Sequence, residues 1–349
     1  MHSPTPSALA KNRKQRRILA WLSVGVVLAM LIHLNVGSTM WYAPWQIAYE
    51  LFRGYLPGHD QTANSIVWSI RLPRVLECVC VGGILGAVGS AFQAQLRNPL
   101  AEPYIVGVSS GAAVGSALAM VLGLEAWFGG LGSAAMGFAT GMLALALVYG
   151  LAKRRGVVEV STLLLAGVVV GALLSSVLSL IILLAGKDTN RVFETLLGTM
   201  STANFEKDAL LAVALFLGCI VLVRQTRMLN AFAIGEESAA RMGVDVGRLR
   251  AIVLITGTAM TAAAVGAVGI VGFLGLVAPH ISRRLLGVDW RRSLIGSALI
   301  GAILLIAADL LAQRAGSIFP TQAVTEVPVG IVTAVIGAPS LLILLKKKG

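Results

Sequence analysis

The sequence predicts an all-α polytopic membrane protein of about ten transmembrane helices, and three observations carry that reading. Hydrophobic residues make up 57% of the 349 residues and charged residues 13%, about half the charged share of an ordinary soluble domain. Apolar runs of about 20 residues, the length a helix needs to cross a bilayer, recur from residue 18 to residue 345. Strict apolar–polar alternation is absent, which excludes a β-barrel. The mean hydropathy of +0.84 rules out an ordinary globular protein, and polar gaps of about 25 to 30 residues at most leave no room for a sizeable soluble domain.

Residues 1–17 form a basic segment with Lys11, Arg13, Lys14, Arg16 and Arg17, and a first helix is expected over 18–36. A cleaved signal peptide is the alternative, but the apolar run is long for one. Residues 37–70 are rich in Trp and Tyr, as at a membrane–water interface. Helix 2 follows Arg71-Leu72-Pro73-Arg74 and covers 75–96. Two prolines in Arg97-Asn98-Pro99-Leu100-Ala101-Glu102-Pro103 then stop the chain from continuing as a helix. Helices 3, 4 and 5 are expected over 104–124, 131–152 and 161–185, and helix 6 over 208–223. Residues 251–286 are too long for one span, and a glycine-rich turn near Gly266–Gly272 divides them into helices 251–268 and 272–286. Helices over 293–312 and 327–345 complete the domain, 18–345, before the tail 346–349.

Charge sets the expected sidedness. With the N-terminus inside, the 28 Lys and Arg divide 21 to 7; only Arg53, Arg71, Arg74, Lys187, Arg191, Lys207 and Arg314 fall outside. That is the positive-inside bias of a membrane protein, with both termini cytoplasmic, and it accounts for the net charge of +12 without nucleic acid. Glycines four apart (Gly82/Gly86, Gly107/Gly111/Gly115, Gly137/Gly141, Gly167/Gly171) suit close helix packing in lipid.

One cytoplasmic stretch, within 229–250, reads as folded and polar. Gly235-Glu236-Glu237-Ser238-Ala239-Ala240-Arg241-Met242-Gly243 places acids where a helix N-terminus favours them, Arg241 where the C-terminus favours a cation, and Gly243 as the left-handed stop. A solvated connector and a docking helix for a soluble partner both fit.

Catalytic chemistry is not expected. The chain has no Gly-x-x-x-x-Gly-Lys-Ser/Thr phosphate loop, so any ATPase is another polypeptide. His2, His33, His59 and His280 are scattered, and Cys78, Cys80 and Cys219 read as packed thiols without metal-ligand spacing. Glu77 and Asp309 are the expected membrane-embedded carboxylates, each with a nearby arginine (Arg74 and Arg314) as its expected partner.

Taken in order, these motifs resemble the FecCD/BtuC-type permeases, membrane subunits of binding-protein-dependent ABC importers for iron chelates, haem and cobalamin. The resemblance runs from about residue 60 to 345. It rests on Arg71–Arg74, Arg97–Pro103, Gly107-Val108-Ser109-Ser110-Gly111-Ala112, Leu163–Gly167, the polar stretch, Gly272-Phe273-Leu274-Gly275-Leu276-Val277-Ala278-Pro279-His280 and Val327–Ala334. It implies a type II importer permease fold, a homodimer in the bacterial inner membrane, two cytoplasmic ATPases that bind ATP and Mg, and a periplasmic or surface-anchored binding protein. No cofactor or metal is implied in this chain.

By the same resemblance, Gly235, Glu236, Glu237, Ala239, Ala240, Arg241 and Gly243 would couple to the ATPase. Asn98, Leu100, Ser161 and Thr162 would close the cytoplasmic gate. Arg71, Arg74 and Arg314 would receive the binding protein; ordinary interface snorkelling is the alternative for the first two. The substrate implied is an iron chelate (siderophore or haem), with cobalamin as the alternative. An ion-coupled secondary transporter dependent on Glu77 or Asp309 is the competing class.

Overall fold

The computed structural model describes residues 6–37, 41–54, 62–154, 157–315 and 326–346. Residues 1–5 of the basic segment, Arg155 and residues 347–349 of the tail therefore lie outside the described residues. Among the described residues seven helices are long and apolar enough to cross a membrane, and two shorter apolar ones accompany them.

α1 (Pro6–Asn35) is followed by a short helix α2 (Pro44–Arg53) and by α3 (Thr62–Ile66). A π-helical turn at Val67–Arg71 joins α3 to α4 (Leu72–Gln95), so the helical run begins some ten residues before Leu72-Pro73. Pro73 brings no N–H to this continuous run, and the π-helical turn, in which the Leu72 N–H reaches back to Val67 O, stands just before it.

α4 is the axis of the domain, with nearly every residue buried. It earns that position through glycine. A Cβ at Gly82 would collide with the Gly301 carbonyl, at Gly86 with that of Ser297 and at Gly89 with that of Gly275. Backbones therefore approach in a way that larger residues forbid, the packing mode expected where lipid removes the hydrophobic drive between helices. These contacts seat α14 (Trp290–Ala315) and α13 (Leu274–Leu286) on α4. α10 (Phe205–Phe232) and α12 (Val246–Val268) close the other faces, with Phe92 of α4 against Gly257 and Leu215 against Gly83.

A second group packs beside it: α5 (Val108–Val121), α7 (Gly132–Ala152) and α8 (Val160–Leu184), with the short α6 (Trp127–Gly130) before α7. Gly111 and Gly115 meet α7 at Ala144 and Met136, and Gly137 meets Gly266 of α12. α7 and α8 are joined through a two-residue antiparallel ladder, β1 (Lys153–Arg154) with β2 (Val157–Val158). α9 (Thr189–Leu196), α11 (Glu236–Arg241) and α15 (Val329–Lys346) complete the order.

Three expectations need correction. Helix 6 does not stop at 223 but runs to Phe232, because Arg224, Gln225 and Arg227 are good helix formers and no Gly or Pro intervenes. Helix 3 begins at Val108, not 104: Gly107 has φ 74 and stands outside the helix as its left-handed N-cap. Gly167 and Gly171 of α8 therefore admit the loop at Ile105–Gly107 rather than another helix.

Candidate functional site

Three polar constellations stand out, one at each end of the bundle and one halfway along it.

The first is α11. Its six residues are closed at the C-terminal end by two bonds, Val244 N–H to Ala239 O at 3.1 Å and Gly243 N–H to Ala240 O at 2.9 Å. This reciprocal stop needs a left-handed residue, and Gly243 supplies it with φ 84. Ala239 is fully buried, so the helix is pinned from below. Glu236 meets Arg250 of α12 through both carboxylate oxygens at 3.2 Å, and Asp245 caps α12 by accepting the Arg248 N–H at 2.9 Å. Glu237, Ala240, Arg241 and Gly243 are exposed, as are Ile234 and Met242. Of the coupling residues read from the sequence, Glu236 and Ala239 fasten the helix, Gly235 and Gly243 bound it, and Glu237, Ala240 and Arg241 form its outward face.

The second lies where α4 ends. Arg97 takes φ 49, and Asn98 Oδ1 accepts the Leu100 N–H at 2.9 Å, turning the chain back towards the bundle. Pro103 then reaches the level of Gly275. The Tyr104 hydroxyl donates to Val271 O at 2.7 Å and accepts the Val271 N–H at 3.2 Å, while Glu102 Oε1 accepts the Phe273 N–H at 2.9 Å. Side chains of the loop before α5 thus satisfy backbone groups of the loop before α13 inside the bundle, as irregular chain at that depth requires. Sequence reasoning missed Glu102 and Tyr104; the signal was a carboxylate and a phenol between two prolines and a helix start.

Leu100 is exposed, and so is Ser161 in the first turn of α8. Thr162 Oγ1 lies 3.1 Å from Glu159 Oε2. The helix starts at Val160 with Glu159 as the flanking residue, so Ser161 and Thr162 are not its N-cap.

The third occupies the opposite end. Arg74 grips Asp309 of α14 with two bonds, Nε to Oδ2 at 2.8 Å and Nη2 to Oδ1 at 2.9 Å, and gives Nη1 to Glu326 at 2.8 Å. His33 Nε2 and Gln313 Nε2 each lie 2.8 Å from the same Asp309 oxygen. Arg74, Asp309 and Glu326 line a cavity of 480 Å³ together with Glu194, Thr199 and Ser201.

These contacts overturn three expectations. Arg74 pairs across helices with Asp309, not with Glu77 one turn on; both Glu77 oxygens are buried without a hydrogen-bond partner. Asp309 is held by Arg74 rather than by Arg314, and Arg314 is exposed at the last turn of α14. Finally, Arg71 and Arg74 are buried, not offered at the surface. Arg71 donates to Leu34 O at 2.7 Å and stacks on Tyr42 at 4.6 Å. Burial on the inner faces of the π-helical turn and α4 explains the difference: an arginine there must find its acceptors inside the chain. The embedded carboxylates also include Asp208, buried near the start of α10.

His33, Cys78 and Asp309 bring three ligand-type atoms within 4.8 Å. Arg74 already occupies both Asp309 oxygens, and a metal cation would meet its like charge, so the trio suits a hydrogen-bonded core rather than a metal centre.

A bundle built on one glycine-lined axis, with paired breaks inside it and a rigid helix standing off one end, defines a polytopic membrane permease. Comparison with known proteins makes the class specific. The family model for the FecCD transport family matches residues 25–347, and the chain belongs to that family: it is the permease subunit of an ABC importer. It is 39% identical over 291 residues to the cobalamin import system permease BtuC of Halobacterium salinarum, covering 83% of this chain and 76% of that protein. It is 34% identical over 337 residues to the Fe(3+)-citrate import system permease YfmE of Bacillus subtilis, covering 96% and 97%. Among solved structures, an inward-facing metal-chelate type ABC transporter superposes with a TM-score of 0.78 at 28% identity, over 95% of this chain and 99% of that one.

Proposed function

We propose that the chain works as a homodimer that imports an iron chelate through alternating access driven by two cytoplasmic ATPases. The observation that carries this reading is α11, a rigid, doubly closed helix fixed to α12 by Glu236–Arg250 and bare on its outer face. A short helix locked in this way transmits a rigid-body push, whereas a flexible loop would absorb it. ATP and Mg bind to the partner ATPase in this scheme, and closure of the ATPase pair moves the loops at Asn98–Leu100 and Ser161–Thr162 that guard the inner mouth.

The basic distribution favours α11 and both termini in the cytoplasm, with the Arg74 cluster at the outer face. Arg314, exposed there, is the arginine best suited to meet an acidic binding protein; Arg71 and Arg74 would contribute through the shape of the outer mouth. The apolar side chains of Leu165, Leu173, Leu180 and Leu184 leave α8 the least covered span, which suits it to a second copy of the chain. Cobalamin is the second reading of the substrate, favoured by the likeness to the Halobacterium permease.

Two experiments test these statements. Wild-type permease is expected to co-purify an ABC ATPase, while Arg241→Glu with Ala240→Trp, both on the exposed face, abolishes capture without changing the gel-filtration profile. Capture unaffected by the pair removes α11 as the coupling element. Radiolabelled uptake by the reconstituted importer, offered ferric chelates and cobalamin in parallel, decides the cargo; uptake that persists without any ATPase sinks the importer mechanism.

A further inference from the structure

At the α11 end a cavity of 560 Å³ opens between the end of α4, the α10–α11 junction and the α13–α14 turn. Its polar lining is Gln93, Arg97, His280, Arg283 and Arg284, with Trp290 on one wall and no carboxylate among the lining residues. Asp289, beside Trp290 in sequence, is engaged elsewhere: Asn230 Nδ2 donates to it at 3.2 Å and Arg292 lies 3.6 Å from it. Among the described residues none of the three lining arginines forms an ion pair. Three like charges thus share one concavity, an arrangement that an anion relieves.

The site is built rather than incidental. The Arg283 guanidinium lies over the Trp290 ring, 5.6 Å from its centroid, a cation–π contact. Its Nη1 is buried with no acceptor from the protein, and a buried donor without an acceptor is costly. A guanidinium fork matches the oxygens of a phosphate group. Arg97 holds a left-handed backbone, φ 49, where glycine would avoid the steric cost, and its side chain lines the cavity. A bare apolar side chain lines the same cavity beside the charges: Val288, at 81% exposure. A ligand matched to both surfaces carries a phosphate head on an apolar body.

We propose that this cavity binds a phosphate group, presented by the headgroup of an anionic phospholipid of the inner leaflet. Basic pockets between helix ends are suited to such headgroups. Assignment to the inner leaflet rests on the sidedness proposed above; the binding chemistry does not. The bound anion would tie together α4, the α10–α11 junction and the α13–α14 turn, and so firm the seat of α11.

The test uses native mass spectrometry of the purified permease, incubated with equal phosphatidylglycerol and phosphatidylcholine. Wild type is expected to retain phosphatidylglycerol roughly tenfold over phosphatidylcholine. Arg97→Gln/Arg283→Gln/Arg284→Gln brings the ratio near parity, whereas Arg224→Gln/Arg227→Gln, outside the cavity, keeps it. Arg284→Gln alone, at an exposed position, gives an intermediate ratio and guards against misfolding of the triple variant.

Equilibrium dialysis against labelled inorganic phosphate separates the sources. Phosphate binding lost in the triple variant, without lipid preference, keeps the anion site but assigns it to the free ion. Parity between the lipids and no phosphate binding in wild type overturns the proposal. So does a triple variant that loses ATPase capture yet keeps its phosphatidylglycerol, because the arginines then serve an acidic protein surface. An error in sidedness leaves the lipid ratio of the solubilised protein unchanged and shows only in topology mapping.

Discussion

Asp309 is buried, and Arg74, His33 and Gln313 all converge on its carboxylate. Asp309→Ala leaves a buried guanidinium with one remaining carboxylate, Glu326, and is expected to cost about 3–5 kcal/mol, read as a lowered unfolding temperature of the purified permease. Replacing both partners, Arg74→Met with Asp309→Leu, is expected to recover part of that loss, because the buried guanidinium and carboxylate leave together while Glu326, His33 and Gln313 each lose a partner. Glu77→Gln is expected to stay within about 1 kcal/mol of wild type, since its carboxylate accepts no hydrogen bond from the protein. A loss as large as that of Asp309→Ala would restore the local Arg74–Glu77 pairing. The one-turn spacing of those residues was plain in the sequence, and so was the cost of embedding each carboxylate. The partner on α14, 235 positions away, was not, because it depends on glycine contacts that bring α4 and α14 together.

Among the helices, the start and stop signals of α11 were legible residue by residue. Glu236 and Glu237 open it, Arg241 stands at its end and Gly243 closes it. What the sequence withheld was the division of labour, with Glu236 turned to Arg250 and Arg241 outward. The glycine spacing on α4 was likewise visible and ambiguous, since the same pattern on α8 admits a loop. Gly86→Val is expected to cost about 1–3 kcal/mol by forcing α4 off Ser297 of α14. Gly150→Ala, with nothing within 4 Å of the new Cβ, is expected to be neutral or to stabilise α7 by up to about 1 kcal/mol. Thermal unfolding of the two variants side by side checks both. The length of α10 was misread because charged side chains end a membrane span without ending a helix.

At the scale of the whole molecule, composition and apolar run length were enough to give the helical bundle, while its fold-back at half depth was not. A proline-rich break reads as a surface loop unless its hydrogen-bond partners are known, and those of Glu102 and Tyr104 lie near residue 272. The dimer proposed through α8 has a direct check: Leu173→Cys is expected to give an oxidation-dependent dimer on a non-reducing gel of membranes, and Val148→Cys, buried within one chain, none. Equal cross-linking at both positions would argue against an α8 interface.

The half-depth fold-back also bears on how the chain is made. α5 has 14 residues and α13 has 13, so each is only about 20 Å long at 1.5 Å per residue, short of a hydrocarbon layer about 30 Å thick. Neither is a good insertion signal alone, and Glu102 and Tyr104 meet the backbone of the α13 lead-in only after both have arrived. The insertion machinery must therefore retain the first half-span until Val271 and Phe273 have been synthesised, or pass it inward together with α4. Ribosome-stalled chains ending before residue 271 are accordingly expected to leave the segment around Tyr104 open to water-soluble labels that the finished protein excludes.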